Sequence, residues 1–236
     1  MKTIHISDIG RIQHLESHVM KGNEVRINPF SFYQEFSRDE ILSVMHKHGI
    51  YCLPTTELIE YLDKRLSELK YYYLAGADSY KDHTIEICAG HGAIAQALGI
   101  KATDRKLQED PKIAAYYLLN GQPLIKYPSH VEKLTANQAF DKYRPKFVVA
   151  SFCTHKLIQG QKYGSMYGVE EELMFTRYGV AIYIHIGNDK PECGHIYKPI
   201  NSIPHLTIYP EWLITRGDIG GSHIKIWERN AIHKNT

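Results

Sequence analysis

Two carboxylates lie on either side of a glycine-rich turn between residues 84 and 106. Glu86 precedes the turn, Gly90 and Gly92 form it, and Asp104 follows it. Glycines allow a backbone to come close to a ligand, and a carboxylate accepts hydrogen bonds from the paired hydroxyls of a ribose. These residue types in this order predict a nucleoside-binding site.

The same stretch indicates the elements that must position these residues. β-Branched residues at 84–87 predict a buried strand, and the small and apolar residues at 93–98 predict a short helix that ends at Gly99. A second short strand, 100–103, then leads to Asp104. Strands joined through a helix are parallel, so we expect both carboxylates at the carboxyl edge of one sheet, where such sheets bind ligands.

Spacing alone fits two kinds of nucleoside. Gly90, Gly92 and Ala95 satisfy the G-x-G-x-x-G/A dinucleotide fingerprint, which favours an oxidoreductase that uses NAD(P). Asp104 comes earlier than the acidic residue that NAD sites place about 20 residues further on. Glu86 also disfavours a dinucleotide, because an ionised carboxylate is unfavourable beside a pyrophosphate and favourable beside an ammonium group.

The segment 86–92, Glu-Ile-Cys-Ala-Gly-His-Gly, resembles the first motif of class I S-adenosylmethionine-dependent methyltransferases, an acidic residue followed by G-x-G-x-G. Cys88 stands in place of the first glycine. Residues 136–139, followed by the P-x-x-V-V-x-S-aromatic run at 145–152, are similar to the region of these enzymes that leads into the fourth strand. The resemblance covers residues 81–186 well and the C-terminal strands loosely.

This resemblance implies S-adenosylmethionine as the cofactor, with its ammonium group near Glu86 and its ribose on Asp104. Thr135 stands where many members have an acidic residue near the adenine. Adenine recognition would therefore depend on the Thr135 hydroxyl and on backbone groups of Thr135 and Ala136. The residues expected to bind the cofactor are Glu86, Cys88, Ala89, Gly90, His91, Gly92, Asp104, Arg105, Thr135, Ala136 and Ser151.

Methyl transfer from a sulfonium is an in-line displacement, so the protein mainly positions the donor and the acceptor and, where needed, removes a proton. His155, in the loop after the predicted fourth strand, is the first candidate for a catalytic base, and His185 is the second. A lone loop histidine is more often an ordinary surface residue. The chemistry itself requires no metal.

The acceptor can be narrowed by a missing motif. Nucleic-acid amino-methyltransferases share a D/N/S-P-P-aromatic tetrapeptide after the fourth strand, whereas this chain has Ser-Phe-Cys-Thr at 151–154. Cys153 lacks the preceding proline of cytosine-5 enzymes. Nucleic acid is therefore an unlikely substrate, and a small-molecule or protein acceptor is expected.

Three functions stay open from the sequence. The favoured one is a methyltransferase, and the second is an NAD(P)-dependent oxidoreductase with a Rossmann fold. The third is a non-catalytic member of the methyltransferase family that binds a ligand or a partner. Cys88 and Thr135, which depart from the family pattern, support the third, because a protein released from catalysis could lose such residues.

The rest of the chain predicts an α/β fold, with a doubly wound, mostly parallel sheet of seven strands as in Rossmann-like methyltransferases. After Asp104, the residue pattern predicts strands at 130–135, 145–152, 180–186, 206–209 and 223–227. A helix is predicted before each of the first two of these strands, at 110–119 and 137–143.

Residues 1–80 predict a helical N-terminal extension to the cofactor-binding domain at 81–236. A capping box at 37–40 starts one helix, which ends at Gly49, and Pro54 and Thr55 open a second. We expect this extension to close the acceptor pocket as a lid. The alternatives are that it covers one face of the sheet or contacts a second subunit.

The composition is that of an ordinary globular protein, with 43% hydrophobic and 23% charged residues and a formal charge of +2. This balance does not suggest a polyanionic partner or membrane insertion, and the N-terminus lacks the pattern of a signal peptide, which favours the cytoplasm. Scattered cysteines predict no disulfide framework. His185, Cys193 and His195 lack a matching second pair, so no metal site is predicted.

Overall fold

A computed structural model describes residues 6–157, 165–189, 204–217 and 220–229. Its α-helices are α1 (Ile6–Val19), α2 (Phe30–Tyr33), α3 (Arg38–His48), α4 (Thr56–Tyr73), α5 (Ala93–Leu98), α6 (Pro111–Leu119), α7 (Ala136–Tyr143) and α8 (Glu171–Thr176). Its strands are β1 (Met20–Lys21), β2 (Glu24–Val25), β3 (Thr84–Ile87), β4 (Lys101–Asp104), β5 (Val131–Lys133), β6 (Phe147–Ser151), β7 (Ile182–Asn188), β8 (Leu206–Ile208) and β9 (Ser222–Glu228).

Seven of the strands form one sheet in the order β5-β4-β3-β6-β7-β9-β8. The strands from β3 to β7 are parallel, and β9 runs antiparallel to both of its neighbours. The predicted α/β class and the seven-stranded, mostly parallel sheet are confirmed. The strand order reverses between β3 and β6, and open α/β sheets bind ligands in the crevice at such a point.

Helices cover both faces of the sheet. Phe147 and Val149 of β6 pack with residues of α4 and α5, whereas Val148 and Ala150 pack with residues of α7 and α8. Successive side chains of a strand point to opposite faces, and a parallel sheet is buried on both. This is why all residues of β3 and β7, and those of β6 up to Ala150, are buried.

α4 covers the first of these faces. Leu58, Leu62, Leu66 and Leu69 recur at helical spacing and are buried in the same cluster as the side chains of β7. Each fully buried leucine contributes about 1.5–3 kcal/mol relative to an exposed one. The packing of α4 therefore fits the alternative in which part of the N-terminal extension covers the sheet.

α1, α2 and α3 build a second core beside the sheet. Leu15, Tyr33 and Met45 are buried in it, and Ile214, from the other end of the chain, packs in the same cluster. Because residues distant in sequence complete this core, it is continuous with the C-terminal part of the protein. The domain boundary near residue 80 stays a prediction.

The predicted caps of α3 and α4 are confirmed. The Ser37 hydroxyl accepts a hydrogen bond from the N–H of Glu40, whose carboxylate accepts one from the N–H of Ser37. Gly49 ends α3 with a φ of 66°, and the Thr55 hydroxyl caps α4. These caps are local in sequence, which is why short motifs predict them.

Candidate functional site

Backbone strain is concentrated at the carboxyl edge of the sheet. Cys88 directly follows β3 with a φ of 53°, Lys106 lies just beyond β4 with a φ of 54°, and Phe152 directly follows β6 with a φ of 52°. A left-handed conformation costs a non-glycine residue roughly 1–2 kcal/mol. Strain of this kind is typical of functional sites, where the surrounding structure maintains it.

Three adjoining clefts open at this edge. The inner cleft lies between the loop 49–52 and the glycine-rich turn, and the lateral cleft lies at the start of α7. The outer cleft, of about 620 Å³, is lined by α6 and several aromatic side chains. Cys88 borders all three, so it stands where the clefts meet.

The two glycines of the turn have different surroundings. Gly90 borders the inner cleft, and a Cβ added there would meet only Ile125, at 3.6 Å. A Cβ at Gly92 would lie 2.7 Å from Val131 of β5 and 2.8 Å from His130. Gly92 is therefore needed for packing of the turn against β5, whereas Gly90 keeps the cleft open.

Glu86 is buried at the base of the inner cleft and only 2% exposed. Its Oε2 accepts a hydrogen bond of 2.9 Å from the N–H of Ala95 in the first turn of α5. Burial raises the pKa of Glu86 to about 8, and the charge of Asp104 adds to this, while the Ala95 bond opposes it. At pH 7 Glu86 is mainly a neutral acid that a nearby cation would ionise.

Asp104 ends β4 and borders the inner and outer clefts. Its carboxylate accepts hydrogen bonds from the N–H groups of Gly90, at 3.0 Å, and Lys106, at 2.6 Å. Burial raises the pKa of Asp104, and the two backbone bonds oppose that effect. Each carboxylate oxygen has about two acceptor positions, so the group can still accept bonds from a pair of hydroxyls.

The lateral cleft contains the residues predicted to contact an adenine. The Thr135 hydroxyl lies 3.0 Å from Oε1 of Gln138 and 3.3 Å from its N–H, in a capping box that starts α7. The Thr135 hydroxyl, predicted to contact the adenine, therefore already takes part in the cap of α7. Ala136 is the first residue of α7, where backbone N–H groups lack partners within the helix. Arg105 borders the same cleft and stacks 5.0 Å from the Tyr167 ring.

His91 connects the turn to the N-terminal helices. Its Nδ1 lies 3.2 Å from the carbonyl oxygen of Asn23, and its Nε2 lies 2.8 Å from that of His48. Burial lowers the pKa of His91, against the effect of these two bonds. Its predicted part in cofactor binding stays a prediction. The neighbouring Ala89 borders the inner cleft and donates its N–H to the carbonyl oxygen of Thr103.

The loop after β6 holds the first candidate base. Nδ1 of His155 lies 2.6 Å from Oε2 of Glu171, and both side chains are buried. Burial raises the pKa of Glu171, while its hydrogen bond to His155 lowers it. A histidine that acts as a general base can be oriented in this way, by a carboxylate hydrogen-bonded to its other ring nitrogen. Ser151, at the end of β6, borders the inner cleft as expected for a cofactor contact.

His185, the second candidate base, lies in β7, and neither it nor His155 is among the residues that line the three clefts. The chain neighbours of His155, Thr154 and Lys156, line the outer and the lateral cleft. His185 is buried next to His223, with the ring centres 6.0 Å apart. Cys193 and His195 lie outside the described residues. Within those residues, no group of three or more histidine, cysteine, aspartate or glutamate side chains is placed to hold a metal.

Sequence reasoning missed the residues that cover the inner cleft from outside. Tyr51 and Ile125 line it, and Ile125 lies so close to Gly49 that a Cβ there would be 3.0 Å from its Cγ1. The N–H of Ile125 donates a 2.6 Å bond to Gln108, which folds the connection after α6 back over the site. No short motif marks Ile125, since its position depends on contacts between distant segments.

The tyrosine pairs have mixed roles. Tyr116 and Tyr117 line the outer cleft. Tyr71 and Tyr72 are exposed on α4. Two adjacent tyrosines in the sequence therefore do not show whether the pair lines a cleft or lies on the open surface.

Comparison with known proteins finds no match among protein-family models, curated proteins or solved structures. Across the described ranges, no helix has both the length and the apolar character needed to cross a membrane.

Proposed function

We propose that the protein binds S-adenosylmethionine and transfers its methyl group to a small-molecule or protein acceptor. The observation that carries this proposal is the convergence of Glu86, Asp104 and Gly90 on one cleft at the switch point of the sheet. The buried carboxyl of Glu86 suits an ammonium group, and the carboxylate of Asp104, which can accept further hydrogen bonds, suits a ribose. The open backbone at Gly90 leaves room for the part of the ligand between them.

In this proposal the inner and lateral clefts receive the methyl donor, and the outer cleft receives the acceptor. Glu86 meets the ammonium group in the inner cleft, and Asp104 accepts bonds from the ribose hydroxyls. The adenine enters the lateral cleft, where the N–H of Ala136 is a donor and Arg105 forms part of the wall. The position of Cys88 between the clefts supports this assignment, because one extended ligand could pass it.

The NAD(P)-dependent oxidoreductase is the less favoured function. In the dinucleotide-binding sheet, with its order 3-2-1-4-5-6, the sixth strand lies next to the fifth. Here β7 is the fifth strand of the sheet along the chain, and its neighbour is β9, which is antiparallel and the last of the described strands. This order and the carboxyl group of Glu86 beneath the glycine-rich turn both favour the methyl donor.

The bound donor supplies an electrophilic methyl group on a sulfonium centre. The protein's own contribution is mainly positional, because in-line displacement depends on the approach of the acceptor. The outer cleft adjoins the inner one at Tyr51, Asp104 and Phe152 and is large enough for a small acceptor or a protein side chain. His155, oriented by Glu171, is the proposed base for acceptors that must lose a proton.

A non-catalytic S-adenosylmethionine-binding protein is the remaining alternative. Two observations favour it: Cys88 replaces a glycine of the family motif at a left-handed position, and His155 is buried in a pair with Glu171. Both features are compatible with ligand binding without chemistry. A binding experiment and a transfer experiment are therefore needed separately.

Binding is tested by calorimetry with S-adenosylmethionine, S-adenosylhomocysteine and NADPH on the parent protein and on Gly90→Val. We expect the two adenosyl ligands to bind and the variant to lose them, because its side chain would fill the inner cleft. Gly76→Val is the matched control, since Gly76 has a φ of 80° but no atom near its Cβ position. Tighter binding of NADPH than of S-adenosylhomocysteine would support the oxidoreductase instead.

Transfer is tested with S-adenosylmethionine that carries an isotopic label in its methyl group, added to cell extract separated into small-molecule and protein fractions. Label that enters one fraction with the parent protein, and not with Gly90→Val, identifies the acceptor class. Tight binding without incorporation in either fraction would favour the non-catalytic alternative.

A further inference from the structure

Cys88, which borders all three clefts, lies against a second, buried thiol. Sγ of Cys88 lies 2.8 Å from Sγ of Cys153, although the residues are 65 positions apart in the chain. β3 and β6 are neighbours in the sheet, with Ile87 aligned to Ala150, so the loops that follow them emerge side by side. The contact therefore depends on the sheet itself and joins its two central loops.

The two thiols differ in access. Cys88 is half-buried and borders the clefts, whereas Cys153 is 2% exposed and packs with the side chains under α7 and α8. The contact with Cys88 and burial both raise the pKa of Cys153. An oxidant that enters a cleft reaches Cys88 first, and Cys153 is in position as the second thiol.

We propose that Cys88 and Cys153 are a reversible dithiol–disulfide pair that hydroperoxides oxidise to a covalent bridge between the loops after β3 and β6. The sulfur atoms need to approach by less than about 1 Å, since a disulfide bond is about 2.05 Å long. Cys88 and Phe152, next to Cys153, both have a left-handed backbone, so each loop turns sharply beside its thiol. Cys88 borders the clefts of the proposed ligand, but oxidation of the pair does not involve the carboxylates of Glu86 and Asp104.

The reaction balances with hydrogen peroxide as the oxidant. The Cys88 thiolate attacks one peroxide oxygen, the O–O bond breaks, and the hydroxide that leaves takes up a proton to form water. The resulting sulfenic acid is attacked by Cys153, so that the S–S bond forms as the S–O bond breaks. The departing hydroxide takes the Cys153 proton. Two thiols and one peroxide thus give one disulfide and two waters.

The experiment treats the reduced full chain with hydrogen peroxide, alkylates the remaining thiols and maps the peptides by mass spectrometry without reduction. We expect a cross-link between the peptides of Cys88 and Cys153 that lacks two hydrogen atoms and disappears with dithiothreitol. The oxidised protein should also melt at a higher temperature, because the bridge restricts the unfolded chain.

The matched control is Cys52→Ser, because Cys52 borders the inner cleft but is not part of the thiol pair. This variant should keep the cross-link, whereas Cys153→Ser should lose it and accumulate sulfinic acid at Cys88. The proposal is overturned if the parent protein forms sulfinic acid at Cys88 while Cys153 stays open to alkylation after unfolding. Cross-links that join either residue to another cysteine would overturn it equally.

Discussion

Two features of the Glu86 environment, its hydrogen bond from Ala95 and its burial, favour opposite protonation states of the carboxyl group. Its Oε2 caps the first turn of α5 through Ala95, and its burial disfavours the ionised form, with a pKa raised to about 8 from an ordinary 4.5. The neutral acid therefore stabilises the fold fully below pH 4.5, and this stabilisation is lost as the pH rises through 8. A ligand cation would reverse the preference and stabilise the carboxylate.

Binding of S-adenosylmethionine at pH 7 should therefore release up to about one proton from Glu86, because the ligand's ammonium group favours the ionised form. The measurement is calorimetry in phosphate and in Tris, where the slope of the observed enthalpy against the buffer ionisation enthalpy counts protons. Glu86→Gln, which cannot ionise, should reduce the release. Equal slopes for the two proteins would exclude Glu86 as the partner of the ammonium group.

At the residue scale, the sequence predicts contacts that are local. Glu86, Gly90 and Asp104 were expected at the ligand-binding edge because a strand–turn–helix pattern places them there, and all three line the inner cleft. The pairings of Cys88 with Cys153 and of His91 with the Asn23 and His48 carbonyls were not predicted. The first depends on β3 and β6 being neighbours and the second on where the N-terminal segment packs, and one sequence specifies neither.

Two segments outside the sheet line the side of the inner cleft that faces away from it. One is the loop 49–52 between α3 and α4, and the other is the connection after α6 that places Ile125 over Gly90. No residue of α6 is buried, and Leu119 is 86% exposed. This helix therefore contributes little to the core and serves mainly as one wall of the outer cleft.

Ile125→Ala should speed the release of a bound ligand several-fold, because it removes the side chain that covers Gly90. The cost to folding should be modest, since Ile125 is only half-buried. Stopped-flow displacement of a fluorescent S-adenosylhomocysteine analogue measures the rate, with Leu119→Ala, an exposed position at the end of the adjoining α6, as the control. A dissociation rate like that of the parent would show that Ile125 does not retain the ligand.

Element prediction succeeded where caps or apolar patterns exist, as for the six-residue α5, and missed short elements that lack such a signal. The β1–β2 hairpin was missed although Gly22 and Asn23 form a recognisable turn pair, because each of its strands has only two residues. α8 was missed because it has six residues and no side-chain cap at its start. Its Glu171 interacts instead with His155, a tertiary contact.

Across the whole molecule, the N-terminal helices and the sheet share structure. α4 packs on the sheet, Ile214 packs in the N-terminal core, and His91 joins the glycine-rich turn to that core. Segments that complete each other's cores do not unfold independently. This packing favours one cooperative unit over two domains divided near residue 80.

Calorimetric melting should therefore show a single transition whose calorimetric and van't Hoff enthalpies agree. Met45→Ala, in the N-terminal core, and Phe140→Ala, under the second face of the sheet, should each lower that transition, since such truncations cost about 2–5 kcal/mol. A separate early transition in Met45→Ala alone would indicate an independent N-terminal domain.

The reversed direction of β9 determines where the described chain leaves the sheet. Glu228 pairs with Ile182 at the start of β7, so the polypeptide exits at the amino edge, opposite the three clefts. A biotin or fluorophore attached at this end of β9 lies on the far side from the ligand. Immobilising the protein on a sensor chip through that end should leave the clefts oriented toward the flowing solution.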